Sequence, residues 1–195
     1  MPWNNTPIPN QSAVLALQGS PRDGNTVKAL HDVVEGLAVP ADIWDLEERP
    51  VLPIGDCAVC EQRGRCSRDD AFDRLYPSMV SAPLLILGSP LYWYGVSAQL
   101  KAFLDRWSCG LHTDDRRFRN LMRGKPVAVV SPQADPDLSV GQPLIDSIRL
   151  TCDFMDMRFV GALQLVAKGR DDLSHAEPAR RQAVEFGRTL RAYLP

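Results

Sequence analysis

Residues 19–26, Gly19-Ser20-Pro21-Arg22-Asp23-Gly24-Asn25-Thr26, concentrate the side chains that grip a phosphate. Ser20 and Thr26 bring hydroxyls, Asn25 an amide, and Arg22 a guanidinium that can hold two oxygens at once. A helix opening here would add free N–H groups and the positive end of its dipole. The stretch matches neither G-x-x-x-x-G-K-S/T nor G-x-G-x-x-G, which argues against a nucleoside triphosphatase and against a Rossmann dinucleotide site. It holds no cysteine, which argues against a phosphatase with a thiolate nucleophile. The alternative is a polar strand-to-helix turn that only caps its helix. An arginine beside so many donors favours binding.

A second stretch, Gly88-Ser89-Pro90-Leu91-Tyr92-Trp93-Tyr94-Gly95, sets three adjacent aromatics between a proline and a glycine. Successive loop side chains cannot all point inward, so a core role explains them poorly. They suit a flat, partly apolar ligand whose polar edge meets backbone groups, or a neighbouring subunit anchored by Tyr and Trp. At a dimer seam the two readings coincide. A third stretch, Cys57-x2-Cys60-x5-Cys66, brings three thiols together. They could hold a metal or cluster completed by an outside ligand, pair through the C-x-x-C unit as a disulfide, or remain inert. Cys109 and Cys152 sit at no ligand spacing, and His31, His112 and His175 are remote in sequence. No metal ligand and no catalytic side chain is assigned, since neither paired carboxylates nor a Ser/His/Asp spacing occurs.

The elements that must position these stretches alternate short apolar runs with longer amphipathic segments, the pattern of βαβ units and a parallel sheet. Strands are predicted at Ala13–Gln18, Ala41–Leu46, Leu84–Leu87, Pro126–Val130 and Phe159–Val166. The first helix carries Val27, Leu30, Val34 and Leu37 at helical spacing, with Asn25 as its N-cap. Asp69 and Asp70 open a second, bearing Phe72, Leu75, Tyr76 and Met79. Ser97 caps a third, bearing Leu100, Phe103, Leu104 and Trp107. Pro143–Met155 and Pro178–Tyr193 complete five helices, while Glu47–Arg68 reads as irregular. The result is an α/β three-layer sandwich around a doubly wound, five-stranded parallel sheet in the flavodoxin-like order. In such a sheet, ligands bind outside the carboxyl ends of the strands, where the first two stretches fall.

Composition agrees with a single domain over 13–195, preceded by a polar, Pro-broken tail at 1–12 expected to be flexible. The chain has 195 residues, 45% hydrophobic, with Lys+Arg 22 against Asp+Glu 24 and a formal net charge of −2. That balance leaves no footprint for nucleic acid and no face for an electrostatically steered carrier. Five cysteines are too few and too odd in number for a disulfide scaffold, and suit a reducing compartment. No secretory signal is visible. The most apolar stretch, Ala82–Val96, is cut by Gly88, Ser89, Pro90 and Gly95, so no membrane span is expected. A cytoplasmic protein is the expectation.

Gly19-Ser20-Pro21-Arg22-x-Gly24-Asn25-Thr26, together with Ser89-Pro90-Leu91-Tyr92-Trp93-Tyr94-Gly95-x-Ser97-x-x-Leu100-Lys101-x-Phe103-Leu104-Asp105-Arg106, resembles the NAD(P)H-dependent FMN reductase and iron–sulfur flavoprotein branch of the flavodoxin-like superfamily. The resemblance implies that Ser20, Arg22, Gly24, Asn25 and Thr26 hold the FMN phosphate, and that Pro90, Leu91, Tyr92, Trp93 and Gly95 lie along the isoalloxazine. Relatives carry a Gly-rich third contact loop after the fourth strand. Here that loop is Ser131-Pro132-Gln133-Ala134-Asp135-Pro136, with Ser131 as its candidate contact and no glycine until Gly141. The cysteines resemble the C-x2-C-x2-C-x5-C segment of iron–sulfur flavoproteins, but the first position falls at Ile54, leaving one cluster ligand short. The implied activity is hydride transfer from NAD(P)H to FMN and onward to a quinone, free flavin or similar small acceptor, in a homodimer or homotetramer. Arg116-Arg117-x-Arg119, in the long segment before the fourth strand, could meet dinucleotide phosphates or simply line a solvated or interface surface. The rival is a flavin-bound electron carrier or thiol redox sensor, with or without a cluster, that does not turn over nicotinamide.

Overall fold

A strand buried on both faces needs apolar residues at both parities. The computed structural model, which describes residues 13–63, 68 and 70–194, puts the runs of that kind at the centre of one sheet. Strands β1 (Val14–Gln18), β2 (Ala41–Asp45), β3 (Leu85–Gly88), β4 (Pro126–Gln133) and β5 (Arg158–Val166) lie in the order β2-β1-β3-β4-β5. Every pairing between them is parallel. The inner strands β1, β3 and β4 are buried along their whole length, and the edge strands β2 and β5 are partly exposed. After β1 the chain first moves outward to β2 and then returns to β3 on the other side. The carboxyl ends of β1 and β3 therefore flank the switch in strand order, where a crevice opens.

Alternation along the strands builds two cores. Leu15, Leu17, Leu85, Leu87, Val127 and Val129 face one layer of helices, α3 (Phe72–Ser81), α4 (Ala98–Asp105), α5 (Trp107–Met122) and α6 (Gln142–Phe154). Val14, Ala16, Ile86, Ala128 and Val130 face the other, α1 (Asn25–Leu37) and α7 (Glu177–Leu190). The α1–α7 contact is backbone against backbone. A Cβ on Gly36 would lie 1.9 Å from the Val184 carbonyl oxygen, and one on Gly187 would lie 2.0 Å from that of Val33. Glycine is what lets the helices come this close.

The structure departs from the sequence reading in four places, each with a physical reason. A short helix, α2 (Cys57–Arg63), lies in the stretch read as irregular, although the side chains of Cys57 and Cys60, all of Cys66, and the tail 1–12 fall outside the described residues. Helix α5 fills most of the connection expected before the fourth strand. Asp114 interrupts its periodicity at φ −158°, ψ 81°, and restarts it by accepting a 3.0 Å hydrogen bond from the N–H of Arg117. β4 runs on past Val130 to Gln133 because β5 pairs with it as far as Gln133–Val166. The N-cap of α1 is Gly24, with Asn25 the first helical residue.

Other local signals hold as read. The Ser97 hydroxyl accepts from Leu100 N–H at 3.2 Å and caps α4. Asp70 accepts from Phe72 N–H at 2.9 Å at the start of α3. Its other oxygen takes the Leu52 N–H (2.9 Å) and pairs with the fully buried guanidinium of Arg106, which also donates to Leu52 carbonyl (3.3 Å). This buried pair therefore closes the base of the segment that carries the cysteines.

Candidate functional site

Four loops meet at the carboxyl edge of the sheet. Ser20, Arg22, Asn25 and Thr26 follow β1; Pro90, Leu91 and Tyr92 follow β3; Pro132, Gln133 and Ala134 end β4; Ala167, Lys168 and Gly169 follow β5. Together they line a cleft that encloses about 140 Å³. That is below the roughly 300–1,000 Å³ of a pocket enclosing a drug-sized ligand. The enclosed part has room for a small polar head group, and anything larger must continue along its open side.

The β1 loop is held from beneath. Gln18 donates to Asp45 Oδ2 at 3.1 Å, and its Oε1 accepts from the N–H of Ser20. The Ser20 hydroxyl donates to the Arg22 carbonyl (2.8 Å) and accepts from the Arg22 N–H (3.3 Å), so it shapes the loop that carries the guanidinium. A Cβ on Gly19 would lie 2.9 Å from the Gly88 carbonyl, which is why the β1 and β3 loops can touch. The first turn of α1 has no capping side chain and no acidic residue. Its N–H groups and dipole are left for an anion.

The β3 loop is a tight hairpin. Tyr92 and Gly95 exchange N–H to carbonyl hydrogen bonds at 3.0 and 2.9 Å, and the two residues between them are left-handed, Trp93 at φ 48° and Tyr94 at φ 64°. This is the geometry of a type I′ turn, which usually takes Asn-Gly. Aromatic residues there cost about 1–2 kcal/mol each. The turn carries the Trp93 side chain into solvent at 95% exposure and Tyr94 at 57%. Its neck is fastened by Ser89, whose hydroxyl accepts from Ser97 N–H (2.9 Å) and donates to the Pro90 carbonyl (2.8 Å), and by Leu91 N–H to Pro132 carbonyl at 3.2 Å. Strain of this kind gathers at functional sites.

Of the residues singled out from sequence, Ser20, Arg22, Asn25, Thr26, Pro90, Leu91 and Tyr92 share the cleft. Trp93 and Gly95 belong to the turn that extends from Tyr92, and Gly24 opens on the neighbouring groove beside Arg170. Ser131 is not part of the lining. It lies inside β4 at 2% exposure, its hydroxyl without a hydrogen-bond partner among the described residues. Six lining residues are not singled out by the sequence as contacts: Pro132, Gln133 and Ala134 lie in the expected third contact loop, and Ala167, Lys168 and Gly169 follow β5. Gln133, expected in a loop, instead ends β4 and donates to the carbonyls of Asp135 and Asp137, both at 2.9 Å, folding the glycine-poor loop around itself. Lys168 follows the far edge strand and reaches the cleft only through tertiary structure.

Arg119, Cys109 and Cys152 are engaged elsewhere. Arg119 pairs with Asp115 at 2.7 Å and donates to the Phe154 carbonyl at 2.7 Å, tying α5 to the end of α6. Cys109 and Cys152 are core residues, and burial pushes the Cys152 thiol up to about 12. Among the described residues, no group of three or more His, Cys, Asp or Glu could hold a metal ion, and no helix is long and apolar enough to cross a membrane.

Comparison with known proteins gives this cleft its context. The profile of the family described as NADPH-dependent FMN reductase matches residues 12–171. YwqN of Bacillus subtilis, named as an NAD(P)H-dependent FMN-containing oxidoreductase, is 32% identical over 145 residues, 73% of this chain and 78% of its own length. The iron–sulfur flavoprotein MJ1083 of Methanocaldococcus jannaschii is 35% identical over 97 residues, 48% of this chain and 50% of that protein. Among solved structures, the Trp repressor binding protein from Bacillus subtilis superposes with a TM-score of 0.70 at 26% identity, over 90% of this chain and 98% of the other. The profile match takes in β1 through the loop after β5, and so every loop of the cleft: the chain belongs to the NADPH-dependent FMN reductase family.

Proposed function

We propose that this chain is an FMN-dependent oxidoreductase that takes hydride from NAD(P)H and passes the electrons to a quinone, free flavin or similarly small flat acceptor. The observation that carries this reading is the union, in one crevice, of an uncapped helix N-terminus beside Arg22 with a strained aromatic turn on the open side. On this reading Ser20, Arg22, Gly24, Asn25 and Thr26 serve the phosphate end. Pro90, Leu91, Tyr92, Trp93 and Gly95 lie along the ring. Ser131, enclosed within β4, drops out of the contact set.

The donor set fits the group. No carboxylate lines the cleft, and a phosphate there would meet Arg22 and the free N–H groups of α1. Bound FMN would supply the two-electron redox chemistry, which needs no acid–base constellation from the protein. The chain's own residues bind the phosphate, hold the ring against the Pro90–Tyr92 backbone, and leave one side open for nicotinamide and then acceptor. Within the turn, Tyr92 and Gly95 spend their N–H groups on each other, whereas those of Trp93 and Tyr94 donate to no other described residue. They remain for the polar edge of a ring. The near-complete exposure of Trp93 also supports a homodimer or homotetramer in which a second copy covers the turn; sedimentation would read this directly.

The test is to purify the protein without oxygen, supply FMN, record the visible spectrum, and then add NADH or NADPH with menadione as acceptor. Flavin bands and acceptor-dependent nicotinamide oxidation are expected. Failure to take up FMN would overturn the site. Bound flavin that neither nicotinamide reduces would overturn the oxidoreductase in favour of a carrier or sensor.

A further inference from the structure

Residues 167–173 leave the edge strand β5 and cross back to the start of α1 before entering α7. Asn25 fastens them there. Its Nδ2 donates to the Gly169 carbonyl at 2.7 Å, and its Oδ1 accepts from the N–H of Leu173 at 3.0 Å. Asp172 holds the same bend by accepting from Gly169 N–H at 2.6 Å, and Leu173 is buried in the core beneath it. The amide of Asn25 thus clamps the loop on both sides of its turn. Lys168 stands immediately before the clamped residues and lines the cleft with Ser20, Arg22 and Thr26. Among the described residues, neither Arg22 nor Lys168 enters an ion pair. Two like charges on separate loops that line one small cleft, with no carboxylate in its lining, suit an anion of matching charge.

We propose that Lys168 is the second cationic arm of the phosphate site and that Asn25 is the residue that positions it. The proposal rests on the FMN reading above. A phosphate monoester carries about −1.5 to −2 charge at neutral pH, so Arg22 balances about half of it and Lys168 the rest. The cleft then selects a flavin by its terminal phosphate, and Asn25 acts through the loop it fastens rather than as a ligand.

Fluorescence titrations of FMN and of riboflavin, which lacks the phosphate, test this at several salt concentrations. Lys168→Met is expected to weaken FMN binding about tenfold, the scale of one charge-assisted contact. It should also flatten the salt dependence and leave riboflavin affinity unchanged, which doubles as evidence of correct folding. Asn25→Ala should lower the FMN-to-riboflavin ratio in the same direction, and Asn25→Ala with Lys168→Met should lower it no further than Lys168→Met alone. Equal effects on both flavins, or no effect on either, would overturn the role of Lys168. Additive losses in the double variant would overturn the positioning role of Asn25. If the unaltered protein binds FMN no more tightly than riboflavin, or Arg22→Ala leaves FMN affinity unchanged, the phosphate reading of the cleft fails first, and Lys168 with it.

Discussion

Replacing Gly36 by alanine sets two effects of opposite sign against each other. In the interior of a helix, alanine is favoured over glycine by about 1 kcal/mol, so propensity alone makes Gly36→Ala stabilising. Packing opposes it. The new Cβ would stand 1.9 Å from the Val184 carbonyl oxygen, 2.7 Å from its carbon and 2.8 Å from its Cα, all backbone atoms that cannot rotate away. An ordinary contact begins near 3.4 Å, so α7 must retreat from α1 by about 1.5 Å. A gap of about 0.5–1 Å already forfeits a quarter to a half of a van der Waals well, and this seam buries Val33, Leu37, Ala183 and Leu190. A cost of about 3 kcal/mol is expected from such overpacking, leaving the variant about 2 kcal/mol less stable than the parent after the propensity gain. Urea unfolding of the flavin-free protein should then show a midpoint lower by about 1 M, for a slope of about 2 kcal/mol/M. An unchanged or raised midpoint would refute the argument that backbone contact sets the α1–α7 distance.

Three further outcomes are expected. Asp70→Ala removes a carboxylate that pairs with the fully buried Arg106 guanidinium and accepts from the Leu52 and Phe72 N–H groups, and should cost about 3–5 kcal/mol in chemical denaturation; a loss below about 1 kcal/mol would show the pair to be dispensable. Trp93→Asn combined with Tyr94→Gly gives the type I′ turn its preferred residues, and should stabilise the flavin-free chain by about 1–2 kcal/mol while weakening FMN binding. Equal or lower stability would mean that the turn carries no strain. Lys125, buried with its ammonium on the carbonyls of Val80 and Ala82, has its pKa lowered by desolvation to about 8. The unfolded chain keeps that proton to near 10.5, so it binds more protons than the folded chain between the two values, and stability rises with pH across that window. Relative to Lys125→Met, the parent protein should gain up to about 3 kcal/mol between pH 8 and 10.5; parallel stability profiles would contradict this.

The parts of the fold and site that could be read from sequence are those whose signal is local. Val14–Gln18 and Leu85–Gly88 are apolar at both parities because both faces are covered, and Ser97 caps its own helix. The phosphate-type and aromatic loops announce themselves by the chemistry of consecutive residues. Other features depend on partners far along the chain. Ser131 and Gln133 look like loop residues until β5 pairs with them, and the charged run 114–119 hides a helix that restarts at Asp114. Asn25 reads as a cap, but its amide is spent on Gly169 and Leu173. Lys168 carries no signal at all, because only that tertiary clasp brings it to the cleft.

The clasp also sets a timetable. Asn25 and Leu173 are 148 positions apart, so at about 5–20 residues per second a ribosome takes about 7–30 s to deliver the second after the first. Over about the second half of that interval both the phosphate-type loop and the aromatic turn have been synthesised, while the loop that carries Lys168 has not. If Lys168 completes the phosphate site as proposed, a chain ending before it is expected to bind FMN less tightly than the full chain. Flavin bound to the completed cleft would then add RT ln(1 + [FMN]/Kd) to the stability of the protein, a lock that closes only late in synthesis.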